Sequence, residues 1–261
     1  MQDIKVLQNK ILEIALYFDE FCRQNDIEYY LMGGSALGAV RHQGFIPWDD
    51  DFDVFMTYEN YQKFLRCARE KLDTNRFYLQ EENTKEWPLF YTKLRMNNTL
   101  FLEPDTKDRK MHKGIFIDIF CLYNISDSNF VAGIQFLAAK MLAAKSLSQR
   151  GYASASFGKK ILMAIARVFV SKKLMIKIVK SQMKKQTNRV GQLFGKAKFK
   201  RAIFPRYYLG KPRYVLFENH YLPVPEYVED YLTHVFGDYM KLPSQEEIEK
   251  SIHSQQWSID V

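Results

Sequence analysis

Four aspartates crowd into five positions of the sequence, and a pair of glycines lies ahead of them. The stretch 33–55 reads "GGSALGAVRHQGFIPWDDDFDVF" and places the four at Asp49, Asp50, Asp51 and Asp53. Like charges this close repel one another unless a cation, a basic side chain or water lies among them. The fold therefore has to bring positive charge or solvent to this stretch.

The residues around the aspartates predict a strand, a glycine turn, a short helix and a second strand. Tyr29–Met32 is a short apolar strand that enters a turn at 33–35, and the helix that follows ends at Gly44. Alternating acidic and apolar residues in "DFDVFM" indicate a strand with one polar face. Because residues two apart on a strand point to the same side, we expect Asp51 and Asp53 to project together.

A further aspartate repeats this pattern downstream. In "GIFIDIFCLY", residues 114–123, Asp118 points away from Ile117 and Ile119 on a strongly apolar strand. If this strand neighbours the first one, three carboxylates converge, and such a group can hold Mg²⁺ or Mn²⁺ across a phosphate. Each motif alone also fits a structural role, as a solvated loop or a hydrogen-bonding anchor. The ordered set of motifs favours catalysis.

The glycine turn predicts a place for a phosphate group. Gly33 and Gly34 have no Cβ, so an anion can approach their backbone N–H groups closely, and Ser35 adds a hydroxyl. The helix that follows directs its N-terminal dipole toward the same place. A metal ion and nucleotide phosphates at this site would balance the charge of the aspartates.

The net charge of +8 is distributed unevenly along the chain. Residues 128–217 contain 20 Lys and Arg and no Asp or Glu. Such a block suits a polyanion or an anionic membrane surface, although a solvated helical surface fits it as well. We predict an α+β protein in three parts. Residues 1–127 form a catalytic core with a small mixed β-sheet flanked by helices. Residues 128–217 form a basic, mainly helical region that faces the acceptor or a membrane. Residues 218–261 form a tail that packs on the core.

Composition excludes several other classes of protein. With 47% hydrophobic and 15% aromatic residues, the chain can bury a sizeable core, which excludes global disorder. Cys22, Cys67 and Cys121 form no CxxC pair, which indicates a reducing compartment and no zinc knuckle. The N-terminus carries acids where a signal peptide would be basic, and no run of about 18 apolar residues is present. We therefore expect a soluble cytoplasmic protein.

The ordered motifs resemble those of the polymerase-β type of nucleotidyltransferases. The strings "GGSALGAVRHQGFIPWDDDFDV", "GIFIDIF" and "VPEYVEDYLTHVFGDYMKLP" resemble the LicD family in particular, between about residues 29 and 243. The resemblance implies a nucleotidyltransferase-fold core that transfers phosphocholine from CDP-choline to a sugar hydroxyl of lipopolysaccharide, teichoic acid or capsule, releasing CMP. Fukutin-type relatives use CDP-ribitol, so another CDP-alcohol is the alternative donor. The acceptor glycan is expected to be lipid-linked, and no nucleic acid is expected as a partner.

The resemblance also implies roles for the aspartates and the glycines. Asp51 and Asp53 would be the principal ligands of Mg²⁺ or Mn²⁺, and Asp118 would be a third ligand or the base that takes the acceptor proton. Asp49 would be a further ligand or would support the others, whereas Asp50 points away. The turn residues Gly33, Gly34 and Ser35 would cradle the nucleotide diphosphate.

Five further residues are candidates for substrate binding, each with a structural alternative. Arg41 would pair with a phosphate, or is an exposed arginine on a helix. Lys93 and Arg95 share a face of the strand "TKLRMNNT" and would offset charge on the leaving CMP, or form a structural salt bridge. Choline favours aromatic faces because it cannot donate hydrogen bonds, and Trp48 and Trp87 are candidates for that contact.

Two other functions stay open from the sequence. A nucleotidyltransferase would use an NTP, leave the nucleotide on the acceptor and release pyrophosphate. A non-catalytic binder would use residues 128–217 to hold a membrane or a polyanion, with a steep salt dependence that is insensitive to Asp51 and Asp53. The expected location is the cytoplasm, with peripheral contact at the inner membrane face.

Overall fold

The computed structural model describes residues 3–103, 109–150, 168–195, 197–244 and 256–260, with the single positions 158, 160, 161, 164, 246 and 248. The helices with full bounds are α1 (Ile4–Gln24), α2 (Gly33–His42), α3 (Tyr58–Lys71), α4 (Asn129–Arg150), α5 (Lys172–Val179), α6 (Phe199–Ala202) and α7 (Val228–Phe236). The strands are β1 (Tyr30–Leu31), β2 (Asp53–Thr57), β3 (Phe77–Gln80), β4 (Thr92–Met96), β5 (Leu100–Leu102), β6 (Phe116–Ile125), β7 (Arg189–Gly191), β8 (Ile203–Pro205), β9 (Arg213–Phe217), β10 (His220–Val224) and β11 (Gln256–Ser258).

A mixed sheet built around β6 organises the chain. Its strand order is β1-β2-β6-β4-β3, and β2 runs parallel to β6 while β4 runs antiparallel. The first half of β6 pairs with β2 and β4, and its second half pairs with β7, which in turn pairs with β8. This arrangement of helices and a mixed sheet confirms the predicted α+β class.

The two faces of the sheet have different environments. On β6, Ile117, Ile119 and Cys121 point to the face that α1 and α3 cover. Phe116, Asp118 and Phe120 point to the other face and line a cavity. Burial of the first face anchors the strand, so the second face can present polar groups at fixed positions.

The first helix shows why the sequence periodicity was informative. Apolar residues recur at helical spacing over residues 4–24 and predict a helix, which forms as α1. Its N-terminus is capped by Asp3 through a hydrogen bond from the Lys5 N–H. Leu7, Ile11 and Phe18 lie on its buried side. The helix therefore forms one layer of the core against the sheet.

Three local predictions near the aspartates need correction. The glycines at 33–35 do not form a separate turn, because they are the first turn of α2. That helix ends at His42 with Gln43, rather than Gly44, in the left-handed conformation. The second strand begins at Asp53, so Asp51 precedes it in irregular backbone.

The basic block is mainly helical where it is described, but it also contributes strands. It contains α4, α5 and α6, and β7 extends the central sheet beyond the end of β4. Strands β7 and β8 have three residues each, which is too short for a periodic pattern. A single cluster of buried residues includes side chains from the predicted core, the basic block and the tail.

Among the described residues, one helix is long and apolar enough to cross a bilayer by length and composition. It is α4, in which the window Asn129–Ser148 has a mean hydropathy of 1.3 and is 33% buried. The sequence showed no uninterrupted apolar run there because Gln135 and Lys140 divide it. A helix of a soluble fold satisfies the same criterion.

Candidate functional site

Three charged residues lie side by side on neighbouring strands of the sheet. Asp53 on β2 is in register with Asp118 on β6, which is in register with Lys93 on β4. The Lys93 Nζ lies 2.9 Å from the Asp118 Oδ1. The sequence analysis expected the carboxylates to converge if the two aspartate strands were neighbours, and β2 and β6 pair directly.

The aspartates lie where two cavities meet. A larger cavity of about 860 Å³ is lined by Asp51, Asp53 and Asp118. A smaller one of about 600 Å³ is lined by Asp49, Asp51 and Asp53. Asp51 and Asp53 thus face both spaces, while Asp50 is buried and lines neither of them. Two substrates held in the two cavities would meet at these carboxylates.

The glycines and the serine hold the aspartates close to the start of α2. Gly33 has a φ of +52°, which a residue with a side chain rarely adopts, and a Cβ on Gly34 would lie 2.9 Å from the Asp49 Oδ2. The Ser35 hydroxyl accepts a 2.8 Å hydrogen bond from the Asp53 N–H. Gly33 lines the larger cavity and Gly34 the smaller. The local sequence therefore places the helix N-terminus against the carboxylates.

Lys93 and Arg95 lie behind the site. Both side chains are only 1% exposed, and neither residue is among the described residues that line the two cavities. The Nζ of Lys93 and the Nη2 of Arg95 each lie 3.8 Å from the Glu103 Oε2, and Arg95 also donates a hydrogen bond to the carbonyl of Gly114. This placement favours the salt-bridge interpretation over contact with the leaving nucleotide.

Aromatic rings surround the buried ammonium group of Lys93. Its Nζ lies 3.1 Å from the ring centroid of Phe116, 5.4 Å from that of Trp87 and 5.6 Å from that of Tyr91. Trp87 is fully buried and lines neither cavity, and its indole N–H donates to the carbonyl of Tyr91. An aromatic box is present, as choline would require, but a protein side chain occupies it. The placement of Trp87 therefore does not favour a contact with choline.

Arg41 and Trp48 both line the smaller cavity. Arg41 is partly buried rather than an exposed helix residue, because its Nη1 donates a 2.8 Å hydrogen bond to the carbonyl of Tyr239. It thereby holds the C-terminal segment against α2. Trp48 is partly buried beside Asp49, so its ring is a wall of the same space.

Burial and mutual repulsion favour the protonated form of these carboxyl groups. Burial, together with the charges of Asp51, Asp118 and Asp49, raises the pKa of Asp53 well above its usual value. Burial raises the pKa of Asp118 to about 6, although the ammonium group of Lys93 opposes that shift. Burial and Asp51 likewise raise the pKa of Asp49. With the protein's own residues alone, the negative charge of these carboxylates exceeds the positive charge that lies near them.

The carboxylates of the site are suited to a divalent cation by their chemistry, but their side chains do not converge on a common point. In the part of the chain that the structure describes, no three His, Cys, Asp or Glu side chains are arranged to hold a metal ion as they stand. However, Asp49, Asp51, Asp53 and Asp118 supply the hard oxygen ligands that Mg²⁺ prefers, and they repel one another without one. A bound cation would need these side chains to turn toward it.

In the absence of divalent ions, Asp53→Asn should gain stability relative to wild type as the pH rises above about 4. The raised pKa of Asp53 means that folded wild type keeps a proton which the unfolded chain loses, so wild-type stability falls with rising pH. Asparagine has no such proton to lose. Melting temperatures of both proteins in EDTA at several pH values check this result. A wild-type advantage that grows with pH would contradict it.

Among the described residues around the cavities, several polar ones were not predicted individually from the sequence, and four of them are Tyr231, Glu103, Lys140 and Arg201. The Tyr231 hydroxyl accepts a 3.2 Å hydrogen bond from the Gly33 N–H and so ties α7 to the start of α2. Glu103, Lys140 and Arg201 line the larger cavity. Tyr231 had a signal, since it belongs to the C-terminal string that resembles the LicD family. Lys140 and Arg201 lie in the basic block 128–217, which was predicted to face the acceptor or a membrane. Glu103 reaches the cavity through tertiary structure alone.

Comparison with known proteins supports a nucleotidyltransferase domain in this chain. The family described as "LicD/FKTN/FKRP, nucleotidyltransferase domain" matches residues 26–140, which include β1, β2, β6 and all four aspartates. The lipopolysaccharide cholinephosphotransferase LicD of Haemophilus influenzae is 29% identical over 262 residues, which cover 94% of each chain. Uncharacterized proteins of Rickettsia prowazekii and Rickettsia typhi are each 49% identical over 41 residues, 16% of this chain.

The mixed sheet flanked by helices is thus compatible with the nucleotidyltransferase domain that residues 26–140 match. Residues 26–140 match the nucleotidyltransferase domain of the LicD family, and the chain is similar over nearly its whole length to one LicD cholinephosphotransferase. The similarity to a cholinephosphotransferase over nearly the whole chain supports a transferase, and this is the class in which we place the protein.

Proposed function

We propose that this protein transfers phosphocholine from CDP-choline to a sugar hydroxyl of a lipid-linked cell-surface glycan and releases CMP. The placement of Asp51 and Asp53 on the walls of two cavities at once supports a transfer between two substrates. The choice of choline and of lipopolysaccharide as acceptor is supported by the similarity to the Haemophilus influenzae cholinephosphotransferase over 94% of the chain.

The donor would bind in the smaller cavity. Gly34 at the N-terminus of α2, Arg41 and Trp48 are brought together there, and they suit a diphosphate and either a base or a choline group. Its volume of about 600 Å³ lies in the range of small-molecule sites. Asp51 and Asp53 would hold a Mg²⁺ or Mn²⁺ ion, whose charge would offset that of the diphosphate.

The acceptor would bind in the larger cavity, where Asp118 can take its proton. Asp118 faces that cavity, and its pKa of about 6 suits a general base near neutral pH. The acceptor oxygen would attack the phosphorus that carries choline, the bond from that phosphorus to the oxygen of CMP would break, and the hydroxyl proton would pass to Asp118. The ammonium group of Lys93 would keep that carboxylate in place during the transfer.

A panel of donors tests this proposal. We expect wild-type protein with Mg²⁺ or Mn²⁺ to release CMP from CDP-choline faster than from CDP-ethanolamine, CDP-glycerol or CDP-ribitol. The divalent ion should also raise the melting temperature of wild type and leave that of Asp53→Asn unchanged, because a carboxamide is a poor ligand for these ions. Faster release from another CDP-alcohol would assign a different alcohol, and reaction with NTPs alone would favour a nucleotidyltransferase.

A further inference from the structure

The outward side of α4 carries a stripe of exposed apolar residues. Phe130, Ile134, Leu137 and Met141 are 79%, 41%, 60% and 36% exposed. Their spacing of four, three and four residues places them on one face of the helix. We call these four residues the apolar stripe. Exposed apolar groups in a contiguous stripe mark an interaction surface more often than isolated ones do.

The opposite side of α4 is built into the fold. The buried side chain of Gln135 donates to the carbonyls of Asn124 and Val179 and accepts from the Ser126 N–H. Lys140, five residues further along the helix, donates a 2.9 Å hydrogen bond to the carbonyl of Gly195. A helix that crossed a bilayer would lose these bonds and leave polar groups in hydrocarbon. The length and hydropathy of α4 therefore do not make it a membrane span.

We propose that the apolar stripe docks on the surface of an anionic lipid bilayer, with α4 lying along the interface. A helix of this kind inserts Phe and Leu side chains into the boundary between head groups and acyl chains, while basic side chains nearby contact anionic lipids. Docking of this kind needs only one exposed apolar face, which is what α4 offers.

Charge decides between a bilayer and a second copy of this chain. The block 128–217 that contains α4 has 20 Lys and Arg and no acidic residue. Lys173 and Lys177 are exposed on α5, which packs against α4. Two copies that joined through this surface would bring like charges together, whereas an anionic bilayer attracts each basic residue by about 1 kcal/mol near its surface.

The residues just before α5 also combine exposed apolar side chains with nearby lysines. Val168 and Phe169, which lie shortly before α5, are 73% and 81% exposed. Both belong to the segment without acidic residues, and two residues separate them from Lys172 and Lys173. Exposed apolar side chains near lysines are the composition that an anionic interface binds.

Docking would also place the larger cavity beside the membrane. The inner side of α4 lines that cavity through Lys140, Ala143 and Leu147. One side of the helix would therefore contact lipid while the other forms a wall of the space that we assign to the acceptor. This consequence rests on the proposed function, whereas the docking itself does not.

Vesicle flotation with the full chain tests the docking. We expect binding to phosphatidylcholine vesicles that contain about one-third phosphatidylglycerol, at about 0.1 M salt, and much weaker binding to phosphatidylcholine alone. The double variant Phe130→Ser/Leu137→Ser should bind the anionic vesicles at least about tenfold more weakly. Its melting temperature should match that of wild type, because both side chains are exposed. Tyr221→Ser is the matched control, since Tyr221 is 67% exposed on β10 and should not affect binding.

Three outcomes would overturn the inference. They are no binding of wild type to the anionic vesicles, equal binding by the double variant, and a wild-type dimer in solution that the double variant abolishes. The last result would identify a second copy as the occupant of the stripe. Because flotation is measured without donor or acceptor and CMP release without vesicles, failure of the docking is distinguishable from failure of the proposed function.

Discussion

Replacement of Asp53 by asparagine should reduce CMP release at least about a thousandfold and leave the folded protein at least as stable as wild type. Asp53 faces both cavities and is in register with Asp118, so its charge acts where donor and acceptor would meet. Loss of several kcal/mol of transition-state stabilisation corresponds to a factor of this size. The stability expectation follows from relief of repulsion with Asp51, Asp118 and Asp49.

Asp19→Asn is the matched control for this result. Asp19 is also a buried aspartate, but it lies on α1, where it accepts hydrogen bonds from the Tyr29 hydroxyl and from Arg23. The variant should lose about 1–3 kcal/mol of stability and keep its rate of CMP release. A large fall in the melting temperature of Asp53→Asn, with activity retained, would assign Asp53 a structural role instead.

Replacement of Lys93 by methionine should cost about 3–5 kcal/mol of unfolding free energy. Lys93 is 1% exposed, and its ammonium group is the nearest positive charge to the partly buried carboxylate of Asp118, 2.9 Å away. Methionine fills a similar volume between the rings of Phe116 and Trp87 but leaves that carboxylate without compensation. Urea denaturation of both proteins near neutral pH measures the difference.

The double variant Lys93→Met/Asp118→Asn separates charge from packing. If the cost arises from the uncompensated carboxylate, removing that charge should restore at least half of the lost stability. No restoration would mean that the packing of the lysine stem against the rings carries the effect. The ion pair between Lys93 and Asp118 also implies that Asp118→Asn alone destabilises the protein, unlike Asp53→Asn. The substitution at Asp118 leaves the buried Lys93 without its nearest partner.

Much of the site could be predicted from the sequence because it depends on local patterns. Alternation around Asp53 and Asp118 identified β2 and β6, and the helical spacing of apolar residues identified α1. Those two strands are adjacent in the sheet, so two residues that are 65 positions apart come together by strand pairing. The glycine at position 33 was identified as special, and its positive φ explains why.

The remainder of the site depends on tertiary structure that the sequence does not encode locally. The pairing of Lys93 with Asp118 follows from the register of β4 on β6, and alternation along β4 does not specify that register. For the same reason, the sequence left two interpretations open for Lys93 and Arg95. Which side of α4 faces water could not be predicted either, because apolar residues lie on both sides of this helix.

The most direct test of the account is the fate of each half of the donor. Wild-type protein would be given CDP-choline labelled either in the choline methyl groups or in the cytidine, with a divalent cation and with lipopolysaccharide that lacks phosphocholine. The account predicts that the choline label appears on the glycan and the cytidine label in free CMP. Cytidine label on the glycan, or pyrophosphate released from an NTP with no reaction of CDP-choline, would contradict it.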